Sequence, residues 1–166
     1  MSNENEFAIT REFNAPKKLL YKMWTEPEHL QHWWGPPGLK VEVVKMELKP
    51  GGTFLYSMKT PDGGAMYGKF VYREIVKDER LVFVVSFCDA NENMLHHPMA
   101  PTWPLEILST IILTESNGKT TLNMKGLAIN ASDDEVKTFV EGFAGMNEGW
   151  SGTLKQLEEY LKSNVN

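Results

Sequence analysis

The stretch SDDEVKTFVEGFAGMNEGWSGTLKQLEEYL, residues 132–161, decides the fold. Its apolar residues Val136, Val140, Phe143, Trp150, Leu154, Leu157 and Leu161 recur at alternating steps of four and three, with only Asn147 out of pattern. On an α-helix that spacing places them on one face. Ser132 and Glu135 stand where a capping box closes the first turn. The spacing predicts one continuous helix over residues 132–161, about 45 Å long. The same stretch carries Gly142, Gly145, Gly149 and Gly152, a second stripe roughly opposite the apolar one. Glycine inside a helix costs about 0.5–1 kcal/mol relative to alanine. The stripe therefore reads as an exposed face, as a site of close approach for another chain, or as a softened helix middle.

Upstream of this helix the period changes from helical to alternating. Residues 6–14 alternate Phe7, Ile9, Arg11 and Phe13 against Ala8, Thr10 and Glu12, which reads as a strand. Arg11 falls in phase with the apolar side, so it snorkels or reaches a polar partner. A helix opens at Asn14 or Ala15 with Pro16 in its first turn, burying Leu19, Leu20, Met23 and Trp24. Thr25 and Glu28 have the spacing of a second capping box, with Pro27 between them, so a short helix follows to Trp33-Trp34. Gly35-Pro36-Pro37-Gly38 stops it.

Six strands come next: residues 39–48, the strand of Phe54, Tyr56 and Met58, then 66–76, 81–88, 105–114 and 120–129. The first of them slips phase between Val43 and Val44, as a β-bulge does. Asp62-Gly63 and Asn117-Gly118 are two-residue hairpin signals. Adjacent hairpins closed by a long helix define an α+β domain with an antiparallel sheet. Residues 89–104 show little periodicity, and loops this long tend to serve function. Met94, Met99 and Trp103 make that loop a candidate lid over a cavity mouth.

Length and composition narrow the classes. A chain of 166 residues is read as a single domain, 1–166. Net charge is -5 and no basic run exceeds two residues, which argues against nucleic acid as a partner. No apolar run reaches the roughly 20 residues that span a bilayer. The single cysteine, Cys88, and a polar, acidic first segment suit a cytoplasmic, reducing setting.

Two segments resemble a known family. ITREFNAPKKLLYKMWTEPEHLQHWWGPPG, residues 9–38, is similar to the opening signature of the family named for activators of the heat-shock protein 90 ATPase. GMNEGWSGTLKQLEEYL, residues 145–161, is similar to its closing signature. The resemblance spans essentially the whole chain. It implies the helix-grip fold of the START-like, or SRPBCC, superfamily: a curved seven-stranded antiparallel sheet wrapped around the C-terminal helix, with a ligand cavity between them. Co-chaperone members carry an additional N-terminal domain that these residues do not include, which sets a chaperone partner behind a small-molecule ligand.

On that frame the cavity candidates are Trp24, Tyr56, Met58, Tyr67, Phe83, Phe87, Met99, Trp103, Met124, Phe143, Met146 and Trp150. Methionine adapts to irregular shapes, and Tyr or Trp adds a polar handle to an apolar body. The expected ligand is a hydrophobic or aromatic small molecule, with no cofactor. A cyclase- or hydrolase-like enzyme and a protein-interaction module are the competing classes. His29 and His32 share a helix face, but neither they nor His96-His97 match a metal-ligand spacing. Cys88 reads as an inert buried thiol rather than a nucleophile. Asp89, Glu42 and Arg73 could point inward, whereas alternation puts Glu106 outside. A homodimer through the glycine stripe or the sheet edges is a further expectation.

Overall fold

The computed structural model describes residues 4–35, 38–97 and 100–164. In chain order they form β1 (Glu6–Phe13), α1 (Lys17–Thr25), α2 (Pro27–Trp33), β2 (Lys40–Met46), β3 (Thr53–Lys59), β4 (Ala65–Val76), β5 (Arg80–Cys88), β6 (Glu106–Ser116), β7 (Lys119–Ile129), α3 (Asp133–Glu141) and α4 (Phe143–Asn164). The strands make one antiparallel sheet in the order β1-β7-β6-β5-β4-β3-β2. Only β1 is out of sequence order; it returns to pair with β7 and leaves β1 and β2 as the edges. This is an α+β helix-grip fold, with α4 packed against β1 and α2, and α3 against β7. No helix among the described residues is long and apolar enough to cross a membrane.

The largest departure from the sequence reading is in the closing helix. The predicted single helix is two, parted at Gly142. The Gly142 N–H is shared between the Thr138 and Phe139 carbonyls at 3.1 Å each, which tightens the last turn of α3. A Cβ at Gly142 would sit 3.2 Å from the Trp103 ring and 3.3 and 3.4 Å from the Thr138 and Phe139 carbonyl oxygens. The bare glycine thus admits Trp103 where a side chain would crowd it. The buried phase of α3 also differs from the predicted stripe. Phe139, outside the predicted stripe, is fully buried, while Val136 and Val140 are half-exposed. Beyond the break Leu154, Leu157 and Leu161 are buried as the spacing predicts. The Ser132–Glu135 capping box is formed in both directions.

Smaller corrections have local causes. Pro16 is the N-cap of α1 rather than part of its first turn. Thr25 does not cap α2: it is the last residue of α1, and its hydroxyl donates back to the Tyr21 carbonyl at 2.8 Å, as threonine does when a turn closes behind it. Glu26 takes the N-cap position with no side-chain bond. The β3–β4 connection is a five-residue loop, 60–64, because Lys59 pairs with Ala65. Asp62 there folds back on the Gly64 N–H and the Thr60 hydroxyl instead of closing a two-residue turn. Asn117 and Gly118 do close one, both left-handed at φ 55° and 78°, between Ser116 and Lys119. The β2 bulge lies between Val43 and Lys45.

Candidate functional site

Between the inner face of the sheet and α4 lies a cavity of about 480 Å³. Register explains its floor. Tyr56 on β3, Gly68 on β4 and Phe87 on β5 lie side by side across three strands. A methyl at Gly68 would overlap the Tyr56 phenol ring, so the glycine is what lets that ring lie flat across β4. Val85 pairs with Ile107, and Ser109 with Gly126. Gly126 in turn faces Phe7 on β1. Small side chains at 109 and 126 leave space that a larger pair would fill. The roof comes from Met146, Gly149, Trp150 and Thr153 on α4.

One wall is the α2 exit, Trp34-Gly35. Gly35 has φ +95°, and a Cβ there would meet the Val41 side chain at 2.8 Å, so only glycine makes this corner. The Gly35 carbonyl accepts from the Thr153 hydroxyl at 3.2 Å and from Gln156 Nε2 at 2.8 Å. Gln156 also donates to the Trp33 carbonyl. Two α4 side chains thereby fix the corner that carries Trp34. The Trp34 ring meets Phe70, Tyr56 and Trp150 at centroid distances of 5.2, 5.8 and 5.2 Å. Edge and tilted contacts of this kind hold a ring in one orientation.

The opposite side belongs to loop 89–104, which is pinned throughout its described part. Lys69 Nζ donates to the Glu92 carbonyl at 2.7 Å, the Leu95 N–H to the Phe87 carbonyl at 2.9 Å, and Thr102 and Thr138 join hydroxyls at 2.8 Å. His97 meets Phe87 at 5.1 Å, and Trp103 meets Phe139 at 5.6 Å. His97, Ala100 and Trp103 line the cavity. Met94 does not cover the mouth; it bridges to Cys88 and is 43% exposed.

Of the cavity candidates read from the sequence, Tyr56, Met58, Phe87, Trp103, Met124, Met146 and Trp150 are brought together around this space. Four are not. Tyr67 is one residue out of phase with Gly68, Phe70 and Tyr72, so it lies on the other face of the sheet, across from Ser57 and Cys88. Phe83 is 4.0 Å from the Phe70 ring, stacked in the solid part of the core. Trp24 stands behind the wall, 4.8 Å from Trp33 and 6.4 Å from Trp150. Phe143 packs on Phe7 and Phe139 just past the helix break. Met99 lies outside the described residues. Strand alternation alone did not single out Phe7, Val85, Ile107, Ser109 and Gly126, because it shows that two faces differ without saying which is hollow. Trp34 had a visible signal, the Trp-Trp pair at a helix stop.

The glycine stripe is not a uniform solvent face. Gly142 receives Trp103, and Gly149 borders the cavity, while an added Cβ at Gly145 would meet nothing within 4 Å.

The chemistry of the lining is sparse. Among the described residues that line it, the titratable ones are Tyr56, His97 and Lys125, with no carboxylate. Burial raises the Tyr56 phenol above its usual range; the nearby Trp34 indole opposes that shift without reaching full hydrogen-bond geometry. The carboxylates considered earlier are engaged elsewhere. Glu42 pairs with Lys59 at 3.2 Å, and Glu106 accepts from Asn130 at 3.0 Å. Asp89 accepts from the Asn93 side chain and from the Asn93 and Asn91 N–H groups, which holds its carboxyl below the usual value. Arg73 is exposed at the β4 bulge. Arg11 reaches Glu158 on α4 at 3.0 Å. Burial pushes the Cys88 thiol up to about 11, against the smaller opposing pull of Lys69. His29 and His32 both pack on Tyr160, the first through a 2.8 Å hydrogen bond and the second by stacking at 5.3 Å. No group of three or more metal-ligating side chains occurs among the described residues.

Sheet, closing helices and the apolar space between them define a helix-grip protein with an internal chamber. The chain belongs to the family described as activator of Hsp90 ATPase homolog 1-like protein, whose model matches residues 14–162. Its fold is similar to that of a protein from Arthrobacter aurescens, with TM-score 0.82 and 23% identity over 100% of this chain and 92% of that one. Protein Ms6760 from Mycobacterium smegmatis gives TM-score 0.77 and 24% identity over 96% and 92% of the two chains. DynU16, described as a protein in the dynemicin biosynthetic locus, gives TM-score 0.67 and 17% identity over 96% of this chain and 48% of its own. No curated protein matches the chain in sequence.

Proposed function

We propose that this protein binds a hydrophobic or aromatic small molecule in the cavity between the sheet and α4. The observation that carries the reading is a space of about 480 Å³ walled chiefly by aromatic, methionine and aliphatic side chains. Small-molecule sites commonly occupy roughly 300–1,000 Å³ and combine apolar walls with a few polar groups. Apolar burial supplies the affinity, and the rings of Trp34, Phe87, Trp103 and Trp150 offer faces and edges to a flat guest. Among the described lining residues an acid/base reading would rest on His97, with no carboxylate beside it. A cytoplasmic setting is part of the same proposal, supported by a single cysteine held as a buried thiol.

Native mass spectrometry of the protein recovered from its own cell extract tests the reading, beside the Gly126→Val variant. A Cβ at Gly126 makes ordinary contact with Ile107 and Phe139, so valine narrows the floor without a steep cost to folding. A bound mass in the wild type that is reduced in the variant is expected. A ligand-free wild type, with no thermal shift from a panel of naphthalene derivatives, would sink the proposal.

A further inference from the structure

Two residues that line the cavity, Tyr56 on β3 and Ser109 on β6, are 5% and 8% exposed and carry hydroxyls. Among the described residues neither hydroxyl forms a full hydrogen bond. Neither belongs to the polar atoms that are both sealed and unbonded there, which are Arg11 Nε, Trp24 Nε1, Trp34 Nε1 and Tyr72 Oη. A hydroxyl that is neither bonded nor sealed opens on the space its residue lines. Other buried hydroxyls nearby are engaged: Thr153 donates to the Gly35 carbonyl at 3.2 Å, and Thr120 to the Ala15 carbonyl at 2.7 Å. Buried polar groups usually find such partners, so two that face a hollow stand out.

The two hydroxyls stand at different ends of the cavity. The tip of the Tyr56 phenol rests over Gly68 on β4, where a methyl would overlap it. The Trp34 indole lies beside this phenol, with ring centroids 5.8 Å apart. An indole nitrogen only donates, so it offers the phenol proton no acceptor and leaves that proton for the cavity. Phe87 is the next residue across from Gly68, and His97 meets the Phe87 ring at 5.1 Å. Tyr56 and His97 therefore share one end. Ser109 is at the other, because it pairs with Phe83, four residues before Phe87 on β5. The floor between the ends carries the apolar register pair Val85 and Ile107. Four residues along a strand and two strand spacings, from β4 to β6, separate the two backbone positions by about 16 Å. A hydrogen bond of roughly 2.8 Å at each end leaves about 10–11 Å between the oxygens of a guest that reaches both.

We propose that the cavity takes a two-ended guest: an uncharged, elongated aromatic molecule with a hydroxyl at each end, one bonded to Tyr56 and the other to Ser109. The inference rests on the reading that the cavity holds a small apolar guest, and it names that guest's polar ends and their separation. A hydroxyl suits both ends because it donates and accepts, as the tyrosine and serine hydroxyls do. His97 adds an imidazole to the Tyr56 end and makes it the more polar of the two. A charged guest would give up its water for walls that hold few polar groups, a costly exchange.

The probes are trans-stilbene, 4-hydroxystilbene and 4,4′-dihydroxystilbene, whose two oxygens stand about the required distance apart. They are titrated into wild type, Ser109→Ala and Tyr56→Phe, with dissociation constants read from stilbene fluorescence. In the wild type each added hydroxyl should tighten binding about five-fold, the size of one net hydrogen bond. In either variant the diol should lose its advantage over the mono-ol, while the mono-ol keeps its own over the hydrocarbon. Equal affinities for diol and mono-ol in the wild type, or a diol advantage that survives in either variant, overturns the inference and leaves the cavity reading intact. If none of the three probes binds, the cavity reading fails and this inference with it. Should Tyr56→Phe not fold, Ser109→Ala decides: a diol that still binds about five-fold more tightly than the mono-ol rejects the proposal.

Discussion

Adding one methyl group at Gly149 and at Gly68 probes the cavity from its roof and its floor, with opposite expected signs. At Gly149, on α4, an ideal Cβ meets no heavy atom within 4 Å. Alanine there gains the helical preference over glycine, about 0.5–1 kcal/mol, with no steric charge against it. For a domain of this size 1 kcal/mol moves Tm by roughly 2–4 °C, so Gly149→Ala should melt about 1–4 °C higher. At Gly68, on β4, the same methyl overlaps the Tyr56 phenol. Tyr56 is 5% exposed and ringed by Phe54, Phe70 and Trp34, so it has little room to yield except toward the cavity. Overpacking of this kind costs about 1–3 kcal/mol, a fall in Tm of about 2–12 °C. Calorimetric melting of the two variants and the parent, with urea midpoints at constant slope, measures both. Gly145→Ala serves as the control, since its Cβ also meets open space. Loss of stability in Gly149→Ala, or a neutral Gly68→Ala, would refute the packing described for roof and floor. Gly142→Ala should fall below Gly149→Ala, because Trp103 and two carbonyl oxygens crowd the added carbon.

Two further outcomes follow from the charged and thiol groups. The hydrogen bond from Arg11 holds the Glu158 carboxyl below its ordinary value, so this pair adds stability above the unfolded-state pKa of the glutamate and loses it as pH falls through the lower folded-state value. Both side chains are about a third exposed, so Glu158→Gln should cost no more than about 1 kcal/mol at pH 7; urea titrations of the two proteins should converge in acid, and a gap that persists below pH 3 refutes the linkage. Cys88 is buried with its thiol pushed up to about 11, so it should resist Ellman's reagent at pH 8 in the native protein and react fully in guanidinium; rapid native labelling would contradict its placement.

Local pattern in the chain carries the architecture a long way. Alternation, hairpin dipeptides and the β2 phase slip each report a backbone state set by neighbours a few residues apart, and so the strands, the Asn117-Gly118 turn and the bulge are legible. The Ser132–Glu135 cap is legible for the same reason. Among the cavity residues, Tyr56, Met58 and Phe87 are reachable from alternation on strands that must bury one face. Tyr67 shows the limit, since a single residue's change of phase sends an equally suitable ring to the opposite face.

What depends on contacts between distant segments is not written in any local pattern. The closing helix parts at Gly142, where Trp103, 39 positions earlier in the chain, lies against it. On α3, before the break, Phe139 lies in the core while Val136 and Val140 are partly out of it. Trp33 and Trp34 are adjacent and alike, yet the Trp33 N–H is given to the Met23 carbonyl while the Trp34 indole lies beside the Tyr56 phenol, a difference made by which elements each ring meets. The hollow itself is of this kind. It arises where small residues on β6 and β7 come opposite an α4 segment carrying Gly149. Residue periodicity specifies which faces turn inward; only the packing of sheet against helix sets how much of that interior is left unfilled.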